Sequence, residues 1–126
     1  MKIGLRLVLA ILAASIVSAG QAPPLNRVMR EKLSHSQAIL AAVVTSDWTA
    51  LDRESRALAI VVKDPSWSVL TAPEYLRQSD VFQRALQRLI EASAKRDLDA
   101  AAAAEVSLTL SCVECHKYLA RQRLAR

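Results

Sequence analysis

Apolar residues recur every three to four positions along most of the chain, the spacing of one face of an α-helix. The pattern predicts four helices, over residues 25–46, 47–63, 71–96 and 99–123. No segment shows the sustained alternation of β-branched and polar residues that is typical of a strand. Four helices with short connections predict an all-α fold, an antiparallel up-down four-helix bundle.

Capping and helix-breaking residues divide the predicted helices. Ser46 or Asp47 can cap the second helix, and Pro65 disfavours the helical conformation of the residue before it. Thr71 is the expected cap of the third helix, since Pro73 and Glu74 follow it with the spacing of a helix start. The predicted apolar stripe of the first helix contains Leu25, Met29, Leu33, Leu40 and Val43, with Val28, Ile39 and Val44 beside them.

The first 22 residues have the pattern of a secretory signal peptide. A positive start at Lys2 and Arg6 precedes an apolar run of 13 residues, Leu7–Ala19, and the last three of these, Val17-Ser18-Ala19, have the small-residue pattern that a signal peptidase recognises. We expect cleavage near 19–22, which leaves the domain 23–126 as the mature, exported and periplasmic protein. The apolar run is shorter than the roughly 20 residues that span a bilayer. Membrane association is expected only if this segment stays uncleaved.

Net charge adds little about partners. The chain carries a formal +5, which falls to +3 once the basic residues of the leader are removed. The remaining basic residues are scattered without aromatic residues between them, a pattern of solvated helix faces. Nucleic acid is therefore not an expected partner.

The most specific motif is Cys112-Val-Glu-Cys115-His116 on the fourth predicted helix. Its cysteines and histidine stand at i, i+3 and i+4, so they share one helix face. C-x-x-C-H is the attachment motif of a c-type haem. Each thiol adds across one vinyl group at the porphyrin edge to form a thioether, and the imidazole reaches the iron. We predict one covalent haem c, with His116 as the proximal iron ligand.

Other interpretations of this motif fit less well. A thioredoxin-like dithiol would follow a strand at a helix N-terminus, whereas this motif lies deep in the last helix. A zinc site would need further ligands, and His35 is the only other Cys or His in the chain.

The ligand on the second face of the iron decides the function. Met29 lies on the apolar face of the first helix, and a thioether is a known ligand of haem iron. A methionine in such a place is commonly a core filler. His35 is the rival ligand, six residues and about 240° further around the helix. An empty sixth position is the third possibility.

The chain has a haem motif within Ser111–Tyr118 on its last predicted helix, and an export signal precedes the predicted bundle. In these features it resembles the class II cytochromes c. These are the cytochrome c-prime family and its low-spin relatives, and the resemblance covers the whole mature chain. It implies a four-helix bundle and, in low-spin members, a methionine of the first helix as sixth ligand, which corresponds to Met29. Members with five-coordinate iron have an apolar residue there. Family members often dimerise through their first two helices, which implies a possible homodimer.

These observations favour an electron carrier that acts with an unidentified redox partner protein. The alternative is a five-coordinate, cytochrome c-prime-like binder of nitric oxide or carbon monoxide, which requires Met29 to be absent from the iron. A peroxidase-like enzyme would need a distal acid–base residue, and the sequence offers no convincing Arg–His pair. We therefore predict that the protein is not an enzyme.

Overall fold

The computed structural model describes residues 24–68 and 70–124, and within these ranges it contains helices and no strand. The helices are α1 (Pro24–Thr45), α2 (Trp48–Val61), α3 (Pro73–Lys95) and α4 (Leu98–Leu124). A turn of 3-10 helix at Pro65–Ser68 lies between α2 and α3. The prediction of an all-helical fold is confirmed. The predicted signal peptide, 1–22, lies outside the described residues. No helix among those described has the length and apolarity needed to cross a membrane.

The same two-residue connection joins α1 to α2 and α3 to α4. Ser46 and Arg96 each adopt a left-handed backbone conformation, with φ of 55° and 52°. An aspartate follows each of them, and its carboxylate accepts a hydrogen bond at 2.9 Å from a backbone amide in the first turn of the next helix. The amides of Asp47 and Asp97 also bond back into the preceding helix, a hydrogen bond of the Schellman type. Asp47 and Asp97 are therefore the caps that fix these two turns.

The start of α3 differs from the prediction that Thr71 caps it. The helix begins at Pro73, its N-cap residue is Ala72, and no side chain caps it. Proline fits the first helical position because its missing N–H would have no intrahelical acceptor there. The residue before proline is pushed towards extended conformations, and Ala72 has ψ of 133° accordingly. The helix therefore starts one residue later than it would if Thr71 were its N-cap.

The core lies where consecutive helices pack on one another. Helix α3 packs on both α2 and α4, and α1 packs on α2, but α1 touches α4 much less extensively than α3 does. The opening between α1 and α4 is the feature of the fold that positions the site described below. Buried residues of all four helices form one continuous core; the most deeply buried large side chains are Ile39, Leu51, Leu58, Leu89, Leu108 and Val28.

The buried face of α1 is narrower than the predicted stripe. Leu33, Leu40 and Val44 were expected to be buried, yet all three are largely exposed. The side chains that face the core from this helix are Val28, Lys32, Ile39, Ala42 and Val43. Helix α1 thus carries apolar residues on two sides, one turned to the core and one turned outward.

Candidate functional site

The C-x-x-C-H motif lies well inside α4, a continuous helix of 27 residues. The helical geometry puts Cys112, Cys115 and His116 on one side of the helix, as the spacing predicted. Cys115 is buried, Cys112 is half-buried and His116 is exposed. This gradient of exposure runs from the core to the surface, so the three side chains border an opening rather than the closed interior.

A cavity of about 480 Å³ opens beside the motif, between α1, the 3-10 turn, α3 and α4. Its lining contains Met29 together with Cys112, Cys115 and His116, and it also includes Lys32, Leu33, Trp67, Gln78, Phe82, Thr109 and Val113. The structure therefore brings together the four residues singled out from the sequence, although Met29 and His116 lie far apart in the chain. Most of the lining is apolar.

His35, the rival of Met29, is placed elsewhere. It is not among the residues that line the cavity. Its ring nitrogen Nδ1 lies 2.8 Å from Oε2 of Glu54 on α2, and both side chains are partly buried at the α1–α2 contact. The imidazole is thus engaged at a different interface of the fold.

One wall of the cavity is aromatic. The Trp67 ring packs against the rings of Tyr75 and Phe82, with centroids 5.6 Å and 6.2 Å apart. Tyr75 also donates a hydrogen bond at 2.5 Å from its hydroxyl to the backbone carbonyl of Trp67. Trp67 lines the cavity, whereas Tyr75 lies behind it and holds the 3-10 turn in place.

Lys32 is a site residue that the sequence analysis missed. Its side chain is buried, with 8% of its surface exposed, and its ammonium lies 3.4 Å from the centre of the Trp67 ring and 3.9 Å from that of Phe82. No ion pair joins it to a carboxylate within residues 24–68 and 70–124. Burial lowers the pKa of this amine to about 8, an effect that the nearby Cys112 and Cys115 partly oppose. The only available signal was a lysine one turn after Met29, on a face that is otherwise apolar.

The electrostatics of the two thiols differ from those of a redox dithiol. Burial raises the pKa of Cys112 and of Cys115 above the ordinary value, although the positive charge of Lys32 opposes the rise. Reactive C-x-x-C pairs instead have lowered pKa values at helix N-termini. Over the described part of the chain, no three His, Cys, Asp or Glu side chains cluster as a metal site would require. The raised pKa values of the two thiols therefore do not favour a dithiol oxidoreductase.

No known protein family, curated protein or solved structure matches the chain.

Proposed function

We propose that this chain is an exported c-type cytochrome that carries electrons through one haem c. The haem would be bound covalently at Cys112 and Cys115, and its iron would be ligated by His116 and Met29. One observation carries the proposal: the thioether of α1 and the thiol–thiol–imidazole set of α4 line a single cavity. This donor set matches covalent haem attachment and histidine–methionine ligation.

The volume and the mostly apolar lining of the cavity suit a large, mostly apolar group. Its volume lies within the range of roughly 300–1,000 Å³ that is common for cofactor and ligand pockets. Leu33 on α1 and Val113 on α4 line it yet are 59% and 46% exposed. A macrocycle seated between these helices would cover both side chains and remove apolar surface from water. The slight contact between α1 and α4 leaves room for such a group.

Each residue of the site has a defined role in this proposal. The two sulfur atoms would fix the macrocycle edge to α4, and the His116 imidazole would reach the iron from the same helix. Met29 would hold the opposite face from α1, and Trp67 with Phe82 would exclude water from one edge. A bound haem supplies one-electron chemistry, and two constant protein ligands keep its coordination unchanged between the two oxidation states. A methionine ligand also raises the reduction potential.

The arrangement of the helices supports the antiparallel up-down topology that we propose for the chain. Both the α1–α2 and the α3–α4 connections are two-residue turns, which suit antiparallel neighbours. In that topology the first helix lies beside the last, so α1 is placed to supply a ligand opposite α4.

We further propose that residues 1–22 direct export, that the protein works in the periplasm, and that its partner is a redox protein. Mass spectrometry of the purified protein should find a mature N-terminus between Gly20 and Pro23.

Two measurements on the purified protein test the proposal. Denaturing electrophoresis with haem staining should show haem that stays on the chain, and the Cys112→Ala/Cys115→Ala variant should lose it. Optical spectra of the oxidised and reduced protein should be those of low-spin c-type haem. Haem that washes off under denaturing conditions would contradict covalent attachment. A high-spin spectrum with ready carbon monoxide binding would reassign the protein to the five-coordinate gas binders.

A further inference from the structure

Lys32 combines three properties that the proposed haem ligation does not explain. Its side chain is more than nine-tenths buried, it lines the proposed haem cavity, and no carboxylate in the described ranges pairs with it. A buried charge without a partner is costly, and a filler of this apolar position would be an aliphatic residue. The position therefore calls for an explanation in terms of the charge itself.

Two aromatic rings offset part of the cost of burying the ammonium without cancelling its charge. The faces of two aromatic rings, from Trp67 and Phe82, lie within 4 Å of Nζ and carry the negative side of their quadrupoles. Among the described residues no carboxylate neutralises the field of the lysine, and the two neutral rings leave its charge in the cavity wall. Burial lowers the pKa of this amine to about 8 in the haem-free chain, so the effect of its charge is tested at a pH well below that value.

We propose that Lys32 is a potential-tuning residue, whose ammonium in the wall of the haem cavity favours ferrous over ferric iron. The inference rests on the proposed function, since it requires a haem in this cavity. Oxidation adds one positive charge to the iron centre, and a second positive charge in the same low-dielectric cavity opposes that change. Lys32 does not ligate the iron in this proposal; it acts through its field.

The size of the effect follows from Coulomb's law. With an effective dielectric constant of about 20, two unit charges up to about 12 Å apart interact strongly enough to change an equilibrium roughly tenfold. Removing the charge should therefore shift the ferrous-to-ferric ratio about tenfold towards ferric iron at a fixed applied potential. For a one-electron couple this corresponds to a fall in potential of about 59 mV.

The test is redox titration of the haem-loaded protein with a matched set of variants, at a pH well below the pKa of Lys32. Lys32→Met removes the charge and keeps a long apolar side chain. If this variant does not fold, Lys32→Gln, which also removes the charge, is used in its place. Lys32→Arg keeps the charge and the contact with the rings. Lys95→Met is the control, because it removes the same charge from an exposed position away from the cavity.

We expect a lower potential in Lys32→Met, a potential near that of the wild type in Lys32→Arg and Lys95→Met, and unchanged low-spin spectra throughout. An unchanged or higher potential in Lys32→Met would overturn the inference. An equal fall of the potential in Lys32→Arg would also overturn it, because packing and not charge would then set the potential. A high-spin spectrum in Lys32→Met would overturn it as well, because Lys32 would then be a ligand of the iron. Covalent haem with an unchanged potential would leave the cytochrome assignment standing, whereas the absence of haem would overturn both proposals.

Discussion

The Nδ1 atom of His35 lies 2.8 Å from the Oε2 atom of Glu54, so that the only histidine outside the C-x-x-C-H motif ties α1 to α2. Glu54 also accepts a hydrogen bond at 2.9 Å from the guanidinium of Arg53. The imidazole would have to leave both this partner and the α1–α2 contact in order to reach the cavity beside α4. The contact therefore favours Met29 over His35 as the second ligand in the proposed haem site.

We predict that His35→Asn leaves the low-spin spectrum of the haem protein unchanged. The substitution removes a partly buried pair, for which a loss of roughly 0.5–1 kcal/mol in the free energy of unfolding is expected. Optical spectra and denaturant unfolding of the same preparation measure both effects. A high-spin spectrum in this variant would identify His35 as the ligand.

Glu54 should contribute to stability in a pH-dependent way. Hydrogen bonds from His35 and then Arg53 lower the pKa of its carboxyl below the ordinary 4.5. A carboxyl whose pKa is lower in the folded than in the unfolded state stabilises the fold at pH values above its pKa in the unfolded state. That contribution is lost as the pH falls from about 4.5 through the folded pKa. Glu54→Gln should be less stable than the wild type at neutral pH, and this difference should shrink below pH 4.5. A difference that stays constant across this range would refute the linkage.

Local chemistry made most helix boundaries predictable, whereas tertiary packing decided what the sequence analysis missed. Pro65 and Asp47 act within a few residues of themselves, so their effects could be predicted directly. The turns at Ser46 and Arg96 carry no glycine to mark their left-handed conformation, and the Asp that follows was the only signal. At the start of the fourth helix, Asp97 and Asp99 both have a side chain that can cap a helix, and in the structure Asp97 is the cap.

In the predicted site, too, the local sequence pattern predicted some features, whereas the packing of the helices decided others. The spacing of the motif was enough to place its three side chains on one face of α4. Which side of α1 faces the cavity depends on how that helix is rotated against α2, and the apolar residues on both sides left this open. Leu33 was therefore expected in the core, and the burial of Lys32 was missed. A lysine is rarely fully buried, so no pattern of apolar residues could have predicted its position.

The hydroxyl of Tyr75 should be important for the stability of the aromatic wall. It donates a hydrogen bond to the Trp67 carbonyl in a buried setting, and burial raises the pKa of this phenol to about 12. Tyr75→Phe leaves that carbonyl without its partner, which should cost about 1–3 kcal/mol in the free energy of unfolding. Denaturant unfolding measures the loss. Tyr118→Phe on α4 is the matched control and should cost less; equal losses would contradict the role given to the hydrogen bond.

The same phenol gives a prediction at alkaline pH. Its pKa is raised in the folded protein above the ordinary 10, so the folded state holds the proton more tightly than the unfolded state. The contribution of the neutral phenol is complete below pH 10 and is lost as the pH rises from 10 towards 12. The stability of the wild type should therefore approach that of Tyr75→Phe over this range. A parallel decline of both proteins would show that other groups control the alkaline transition.

The caps of α2 and α4 should contribute similarly, because Asp47 and Asp97 make the same bond of 2.9 Å. Asp47→Ala and Asp97→Ala should each lower the free energy of unfolding by about 1 kcal/mol. Asp99→Ala is the control for the second change: this residue lies in the first turn of α4, so it interacts with the helix dipole without capping the helix. Thermal unfolding compares the three variants. An Asp99→Ala loss larger than that of Asp97→Ala would move the cap to Asp99.

The last prediction concerns Met29, whose proposed ligation separates an electron carrier from a gas binder. Met29 is half-buried, packs against the core from α1 and lines the cavity that His116 enters from α4. Met29→Leu keeps volume and apolarity, so it should cost less than about 1.5 kcal/mol in stability. If the thioether binds iron, this variant should become high-spin, lose reduction potential and gain affinity for carbon monoxide. Leu33→Met, a substitution of similar size in the same cavity, should leave the spectrum low-spin. A Met29→Leu protein with an unchanged low-spin spectrum would exclude Met29 as the ligand and point to His35 instead, because leucine offers the iron no donor atom.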